Sequence, residues 1–161
     1  VDPGNEPGKI VLITRFGAKN VSTGLPQLAE AIRSEGLNVV WFVDPMHGNT
    51  FKTALGDKTR RYEDILAEIR QTHQVLKRHG QHLGGIHLEL TGEDVTECVG
   101  GPQRLSEEDL KTNWKSACDP RLNYEQSLEL AREVSEMLAE ERLHSILDSE
   151  GSEVVSEEAK C

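Results

Sequence analysis

The sequence predicts an α/β fold in which parallel strands alternate with helices. Short apolar runs separated by helical patterns, a strand-to-strand repeat of roughly thirty residues, and glycines at the expected helix ends support this prediction. The runs are residues 9–14, 38–43 and 85–90. Because the helix between two strands provides the crossover connection, neighbouring strands are expected to run parallel.

The first strand and helix form the first predicted unit. Residues 9–14 are an apolar run between Gly8 and Gly17, which predicts a buried strand. In the helix that follows, Pro26 suits a first-turn position and Gly36 is placed to end the helix. Its apolar residues fall at helical spacing: Leu25, Leu28, Ala29 and Ile32.

The second unit begins with the most apolar part of the chain. Residues 38–43 are rich in β-branched and aromatic side chains and predict a buried strand. The polar stretch 44–60 predicts a long loop, and long loops usually have a function or are mobile. An amphipathic helix ended by Gly80 is predicted from its spaced apolar residues: Tyr62, Ile65, Leu66, Ile69 and Leu76.

The third strand alternates strictly. Within residues 85–90, Ile86, Leu88 and Leu90 share one face, so His87 and Glu89 share the other.

Two further helices are predicted after the third strand. A short one starts near Ser106, with Asp109 three residues on. The last one begins at Asn123 and Gln126, which resemble a capping pair.

Composition limits the classes of protein. The chain has 161 residues, 36% of them hydrophobic and 4% aromatic, which is enough for one domain with a modest core. A formal charge of −10 argues against nucleic-acid binding, and no segment suits a membrane span. The three cysteines are an odd number, which favours free thiols in a reducing compartment such as the cytoplasm. Serine and glutamate dominate the end, so the predicted division is a folded part, 1–147, and an acidic, disordered tail, 148–161.

Chemically capable residues follow the predicted strands. Arg15 follows the first, His47 the second, and Glu89 lies near the end of the third, so all are expected at one rim. With Asp119, His47 and Glu89 form a mixed nitrogen and oxygen set that suits a divalent ion such as manganese, iron, cobalt or zinc. Alternatively, His47 is a hydrogen-bonding loop residue, Glu89 an ion-paired interior carboxylate, and Asp119 part of an Asp-Pro turn.

A series of motifs resembles the type II (plant-like) 3-deoxy-D-arabino-heptulosonate 7-phosphate (DAHP) synthase family. The resemblance extends from about residue 5 to residue 140. In chain order the motifs are Arg15-Phe16-Gly17, residues 44–50 (DPMHGNT), Lys58-Thr59-Arg60, residues 84–89 (GGIHLE), Thr91-Gly92, residues 95–98 (VTEC), residues 118–123 (CDPRLN) and residues 126–131 (QSLELA).

The resemblance implies a fold and a reaction. The fold would be a (β/α)8 TIM barrel, of which this chain covers about the last three βα units. The reaction would condense phosphoenolpyruvate with erythrose 4-phosphate, which is the first step of the shikimate pathway to aromatic amino acids.

The resemblance also implies roles for individual residues. His47, Glu89 and Asp119 would be metal ligands, for Mn²⁺ or for Co²⁺ or another divalent ion. The family's fourth ligand, a cysteine, has no counterpart in this sequence. Arg15 would bind phosphoenolpyruvate, Lys58 and Arg60 would line the sugar-phosphate end, and Lys58 and His47 would be the catalytic residues. Alternatively, Lys58 is a solvated loop lysine, and Arg60 and Arg121 pin their loops through carboxylate pairs.

The length of the chain sets a further expectation. Three βα units cannot close an eight-stranded barrel, so the chain is expected to be a fragment with little activity alone. Its partners would be the rest of the barrel and, in the complete enzyme, further copies in a homo-oligomer. The enzyme would be cytoplasmic, or plastidic if the source is a plant. Two alternatives stay open: another metal-dependent barrel aldolase, and a non-catalytic binding or regulatory module.

Overall fold

The computed structural model describes the backbone of residues 2–158 and the side chains of residues 2–142. The strands are β1 (Val11–Thr14), β2 (Val40–Val43), β3 (Thr50–Lys52), β4 (Lys58–Arg60) and β5 (Leu83–Ile86). The helices are α1 (Val21–Ser34), α2 (Tyr62–Arg78) and α3 (Tyr124–Glu158). Single 3-10 turns lie at His47–Asn49 and Asp109–Lys111. No described helix has the length and apolar composition needed to cross a membrane.

The chain divides into two compact units, Val1–Ser127 and Leu128–Cys161. The first contains all the strands and the site described below. The second is the continuation of α3, in which Arg132 pairs with Glu129 and Glu136. The side chains of residues 143–161 lie outside the described part, so the division at residue 147 and the disorder of the tail stay predictions.

The main sheet has the order β1-β2-β5, with all neighbours parallel. This confirms the predicted α/β class and parallel pairing. In register, Ile13 lies beside Phe42, and Phe42 lies beside Gly85. A Cβ atom on Gly85 would lie 2.3 Å from the Phe42 ring, so a larger residue here would displace that ring.

One face of the sheet forms the core with α1 and α2. Trp41 and Val43 of β2 and Ile65 and Ile69 of α2 are completely or almost completely buried. On the opposite face, Val11 and Ile13 are 46% and 57% exposed. The described part of the chain therefore covers one side of the sheet and leaves an apolar surface on the other.

The helix ends show how local sequence sets the boundaries. Gly36 and Gly80, with φ of 62° and 66°, follow α1 and α2 as predicted. The capping pair of α3 is also confirmed, because the Gln126 N–H donates to Asn123 Oδ1 at 2.9 Å and the Asn123 N–H to Gln126 Oε1 at 3.2 Å. The prediction that Pro26 lies in the first turn of α1 is wrong. Helix α1 begins at Val21, so Pro26 lies inside it.

Two other predicted elements differ from the structure. The third strand is Leu83–Ile86 rather than 85–90, because the chain changes partner there: the His87 N–H still bonds to β2, but Leu90 pairs with Leu122. The predicted loop 44–60 contains the antiparallel hairpin of β3 and β4. Backbone pairing forms this hairpin, and Phe51 is the one apolar residue of its two strands, so hydrophobic alternation could not reveal it.

Candidate metal centre

The predicted site residues meet at the carboxyl ends of the parallel strands. The loops after β1 and β2 touch: a Cβ atom on Gly17 would lie 2.6 Å from the carbonyl oxygen of Gly48. Both positions therefore require glycine, and Gly17 has a positive φ of 76°. This close contact brings Arg15, which follows β1, beside the segment that carries His47.

Three ligand-type side chains surround one point. His47 Nε2 lies 3.4 Å from Glu89 Oε1 and 3.7 Å from Asp119 Oδ2. Ligand atoms held about 2.1 Å from an ion lie roughly 3.0–3.4 Å apart for right-angled to tetrahedral arrangements. The observed separations are close to these values, and one donor atom from each residue lies within 4.8 Å of the others. The three residues are partly exposed, at 28%, 27% and 18%.

The tautomer of His47 supports a cation at this point. His47 Nδ1 lies 2.8 Å from Asp44 Oδ2 and 3.0 Å from Asp44 Oδ1. Since a carboxylate only accepts, Nδ1 carries the proton in the neutral ring, and Nε2 then presents a lone pair to Glu89 and Asp119. Three acceptors facing one another repel unless a proton or a metal ion lies between them. The residues present therefore fit a divalent metal.

Asp44 is the residue that orients His47. Its side chain is almost completely buried, and Oδ1 also accepts the backbone N–H groups of Met46 and His47. Burial alone would raise the pKa of Asp44, but the hydrogen bonds from His47 and Met46 outweigh it and hold the pKa below its ordinary value. Asp44 is therefore an ionised acceptor, as in a carboxylate–histidine–metal arrangement.

We expect Asp44→Asn to weaken Mn²⁺ binding about 10- to 100-fold, the usual effect of losing such a partner. An asparagine amide group beside Nδ1 favours the tautomer protonated at Nε2, and that proton competes with the metal. Titration with Mn²⁺, followed by electron paramagnetic resonance of the free ion, measures the change. Asp57→Asn is the matched control, because among the described side chains the ion pair of Asp57 is with Lys111, at 3.7 Å. Unchanged affinity in Asp44→Asn would contradict this role.

Arg60 holds the carboxylates of Glu89 and Asp119. Its side chain is completely buried, and NH1 lies 2.5 Å from Glu89 Oε2 while NH2 lies 3.3 Å from Asp119 Oδ2. NH1 also donates to the carbonyl of Pro120, and Nε donates to Thr50 Oγ1 at 3.1 Å. The N–H groups of the guanidinium thus donate to other groups of the protein. This favours the alternative in which Arg60 pins its loop over the one in which it binds substrate.

Lys58 contacts Asp119 through the carboxylate oxygen that does not pair with Arg60. Its Nζ is 2.5 Å from Asp119 Oδ1, and this hydrogen bond is the largest cause of the lowered pKa of Asp119. The side chain is 44% exposed and borders a cavity of about 350 Å³ that is also lined by Lys111 and Trp114. Lys58 therefore reaches both Asp119 and an open space.

Arg15 approaches the site through Asp44. Its Nε lies 2.9 Å from Asp44 Oδ2, and its side chain is 58% exposed. Within the part of the chain that the structure describes, no hydrogen bond involves its terminal nitrogens. These nitrogens can therefore bind an external anion.

Sequence reasoning missed Glu68, which joins the loops after β1 and β2. Glu68 is completely buried in α2; Oε1 accepts the N–H groups of Phe16 and Gly17 at 3.0 Å, and Oε2 accepts Asn49 Nδ2 at 2.7 Å. Burial is the largest cause of its raised pKa. A signal existed, because Glu68 falls at helical spacing among the apolar residues Ile65, Ile69 and Leu76.

The described cysteines take no part in the candidate centre. Cys98 is buried and free, and burial raises the pKa of its thiol to about 12. Cys118 is exposed and free. Among the residues with described side chains, the groups that could hold a metal are His47, Glu89 and Asp119, and a second set that shares His47 with Asp44 and His87.

Comparison with known proteins shows the family of this chain. Residues 1–135 match the model of the Class-II DAHP synthetase family. A phospho-2-dehydro-3-deoxyheptonate aldolase from Streptomyces coelicolor is 50% identical over 137 residues, which cover 85% of this chain and 30% of the relative. A second relative, named phospho-2-dehydro-3-deoxyheptonate aldolase AroG, comes from Mycolicibacterium smegmatis. It is 49% identical over 138 residues, which cover 86% of this chain and 30% of the relative.

A relative from Neurospora crassa, also a phospho-2-dehydro-3-deoxyheptonate aldolase, is 47% identical over 157 residues, covering 96% of this chain and 33% of its own length. The chain thus spans about a third of the curated relatives it matches. Since the family match covers most of the 161 residues, the chain belongs to the Class-II DAHP synthetase family.

Proposed function

We propose that this chain is part of a 3-deoxy-7-phosphoheptulonate synthase, a transferase. The enzyme would condense phosphoenolpyruvate, erythrose 4-phosphate and water into DAHP and phosphate, opening the shikimate pathway. The observation that carries the proposal is the cluster of His47, Glu89 and Asp119 at the carboxyl ends of parallel strands, in a member of this family. The names of the relatives support the same reaction.

The scaffold would be a (β/α)8 barrel, to which this chain contributes about three βα units. The support is the parallel order β1-β2-β5 with helices on one face and the exposed Val11 and Ile13 on the other. In a closed barrel this second face is filled by side chains from all the strands. The remainder of the barrel is therefore the first partner we propose, and further copies in a homo-oligomer are the second.

The metal would be a divalent ion, Mn²⁺ first and Co²⁺ or another ion second, held by His47, Glu89 and Asp119. When bound, the ion supplies Lewis-acid polarisation of the aldehyde oxygen of erythrose 4-phosphate. In the overall reaction, the methylene carbon of phosphoenolpyruvate would bond to the aldehyde carbon, water would add to the former enol carbon, and phosphate would leave.

The basic residues of the chain would bind the anionic substrates. Arg15 can offer its terminal nitrogens to the phosphate or carboxylate of phosphoenolpyruvate, with Asp44 fixing the orientation of the guanidinium. Lys58 borders the 350 Å³ cavity and can neutralise charge near the sugar phosphate. Arg60 would act through Glu89 and Asp119 rather than on substrate.

Two lesser points complete the proposal. We place the enzyme in the cytoplasm, or in a plastid if the source is a plant; the free thiols of Cys98 and Cys118 agree with a reducing compartment. The alternative of another barrel aldolase keeps the metal cluster but changes the substrates.

An assay of the complete polypeptide containing this chain tests the proposal. We expect phosphate release and DAHP formation when phosphoenolpyruvate, erythrose 4-phosphate and Mn²⁺ are all present, and loss of both products when a chelator removes the ion. Phosphoenolpyruvate alone, and phosphoenolpyruvate with other aldehydes, are the controls. Faster turnover of another aldehyde would favour the alternative aldolase, and binding without turnover would favour a non-catalytic module.

A further inference from the structure

The loop between β5 and α3 carries Asp119 but contains little regular structure. In the described chain, its 3-10 turn at Asp109–Lys111 is its one regular element. A ligand on such a loop needs another means of holding its position, since small displacements of a ligand weaken a metal site. Glu97, which lies on the loop and is completely buried, is a candidate for this role.

Glu97 accepts five hydrogen bonds from two sides of Asp119. Oε1 accepts the N–H groups of Lys115 at 3.1 Å and Ser116 at 2.8 Å, and Arg121 NH2 at 2.8 Å. Oε2 accepts the backbone N–H and the Nε–H of Arg121, both at 2.9 Å. The carboxylate therefore fixes residues that precede and follow Asp119 in the chain.

Two more contacts connect this anchor to the metal centre. Ser116 Oγ donates to the carbonyl of Asp119 at 2.7 Å. The buried Thr59 donates from Oγ1 to the carbonyl of Glu97 at 2.8 Å. In the chain, Thr59 lies between Lys58 and Arg60, whose cationic groups pair with the Asp119 carboxylate. One buried residue thus joins the segment of Asp119 to the strand that contacts its side chain.

The ionised form of Glu97 is required for this arrangement. Burial alone would raise the pKa of Glu97, but hydrogen bonds from Arg121, Lys115 and Ser116 outweigh burial and hold the pKa below its ordinary value. At neutral pH both oxygens are therefore acceptors, as the five donors need.

We propose that Glu97 is a positioning residue of the metal centre: it holds the segment 115–121 so that Asp119 Oδ2 faces His47 Nε2. This inference rests on the proposed metal function of Asp119. Glu97 itself does not contact the ligand residues, so its effect passes through Ser116, Arg121 and Thr59.

The test is Glu97→Gln in the complete enzyme, with metal affinity as the readout. Glutamine has the same shape, but its amide group must face donors in either orientation, so one side of the anchor is lost. We expect the dissociation constant for Mn²⁺ to rise about 10- to 100-fold. Electron paramagnetic resonance of free Mn²⁺ measures this constant, and the absorption spectrum of bound Co²⁺ reports the geometry of the site.

The matched control is Glu93→Gln. Glu93 lies on the same loop and also pairs with Lys115, but through the exposed Nζ at the surface. We expect its Mn²⁺ dissociation constant to stay within about twofold of the parent, since exposed pairs contribute little. The second variant is Arg121→Lys, which keeps the positive charge but loses the two-pronged guanidinium contact with Glu97. We expect it to weaken Mn²⁺ binding less than Glu97→Gln does.

The outcomes separate the two proposals when Asp119→Asn is measured alongside. Weaker metal binding in both Asp119→Asn and Glu97→Gln supports the inference. If Asp119→Asn weakens binding but folded Glu97→Gln binds Mn²⁺ like the parent, even with a lowered melting temperature, Glu97 is only structural and the inference fails. If Asp119→Asn binds Mn²⁺ like the parent, the proposed metal-binding function of Asp119 is wrong, whatever the result for Glu97→Gln. If Glu97→Gln does not fold, unchanged affinity in Arg121→Lys overturns the inference.

Discussion

Replacing His47 with alanine is expected to reduce turnover of the complete enzyme by about 10³-fold or more, because metal-ion stabilisation of developing charge contributes several kcal/mol. His47 supplies the nitrogen of the cluster, and Glu89 and Asp119 alone would leave a weaker pair of carboxylates. We therefore expect Mn²⁺ affinity and turnover to fall together. Titration with the metal and a phosphate-release assay at saturating substrates measure the two effects.

The matched control for this change is His82→Ala. His82 is exposed and precedes β5, so it lies at the opposite end of that strand from Glu89. We expect this variant to retain the parent's metal affinity and turnover. If His47→Ala also retained both while its circular dichroism matched the parent, the site would not be a metal centre, and the non-catalytic module would become the better interpretation.

Replacing Arg60 with methionine is expected to have the largest effect on stability. Removing one partner of a buried ion pair costs about 3–5 kcal/mol, since the remaining charges lose their compensation. Glu89 and Asp119 are partly exposed, at 27% and 18%, so water softens the loss and we expect a value near the lower limit. Urea unfolding of the parent and the variant, without added metal, measures the difference.

Arg61 provides the matched control in the neighbouring position. Its side chain is 50% exposed, lies over the Phe51 ring at 4.5 Å and pairs with Glu107 at 3.4 Å. Arg61→Met is expected to cost about 1 kcal/mol, as is usual for exposed ion pairs and cation–π contacts. Equal stability of Arg60→Met and Arg61→Met would contradict the structural role of Arg60.

Much of the fold could be predicted because it depends on local patterns. The apolar runs identify the strands of the sheet, and Asn123 with Gln126 identifies the start of α3. The hairpin of β3 and β4 could not be predicted this way, because its strands contain a single apolar residue, Phe51, and its pairing depends on the backbone. The predicted third strand, 85–90, begins and ends too late, because the pairing partner of the chain changes after His87.

Which residues meet at the candidate site could also be predicted in part from the sequence. Parallel strands place their carboxyl ends at one edge, so the convergence of Arg15, His47 and Glu89 followed from the order of elements. The residue types also suggested Asp119 as a metal ligand, and the resemblance added a role for Lys58; the structure places both beside His47 and Glu89. These roles stay predictions until the variants above are measured.

The sequence by itself determined which groups with metal-binding and anion-binding chemistry this protein brings to the ends of its strands, since residue type and strand order are local properties. Only the tertiary structure decided how those groups are held. Asp44 selects the tautomer of His47, Arg60 is buried between the two carboxylates, and Glu97 anchors the segment of Asp119. Such contacts join residues distant in the chain, and a buried charge is stable only where packing supplies its partners, so no local pattern could reveal them.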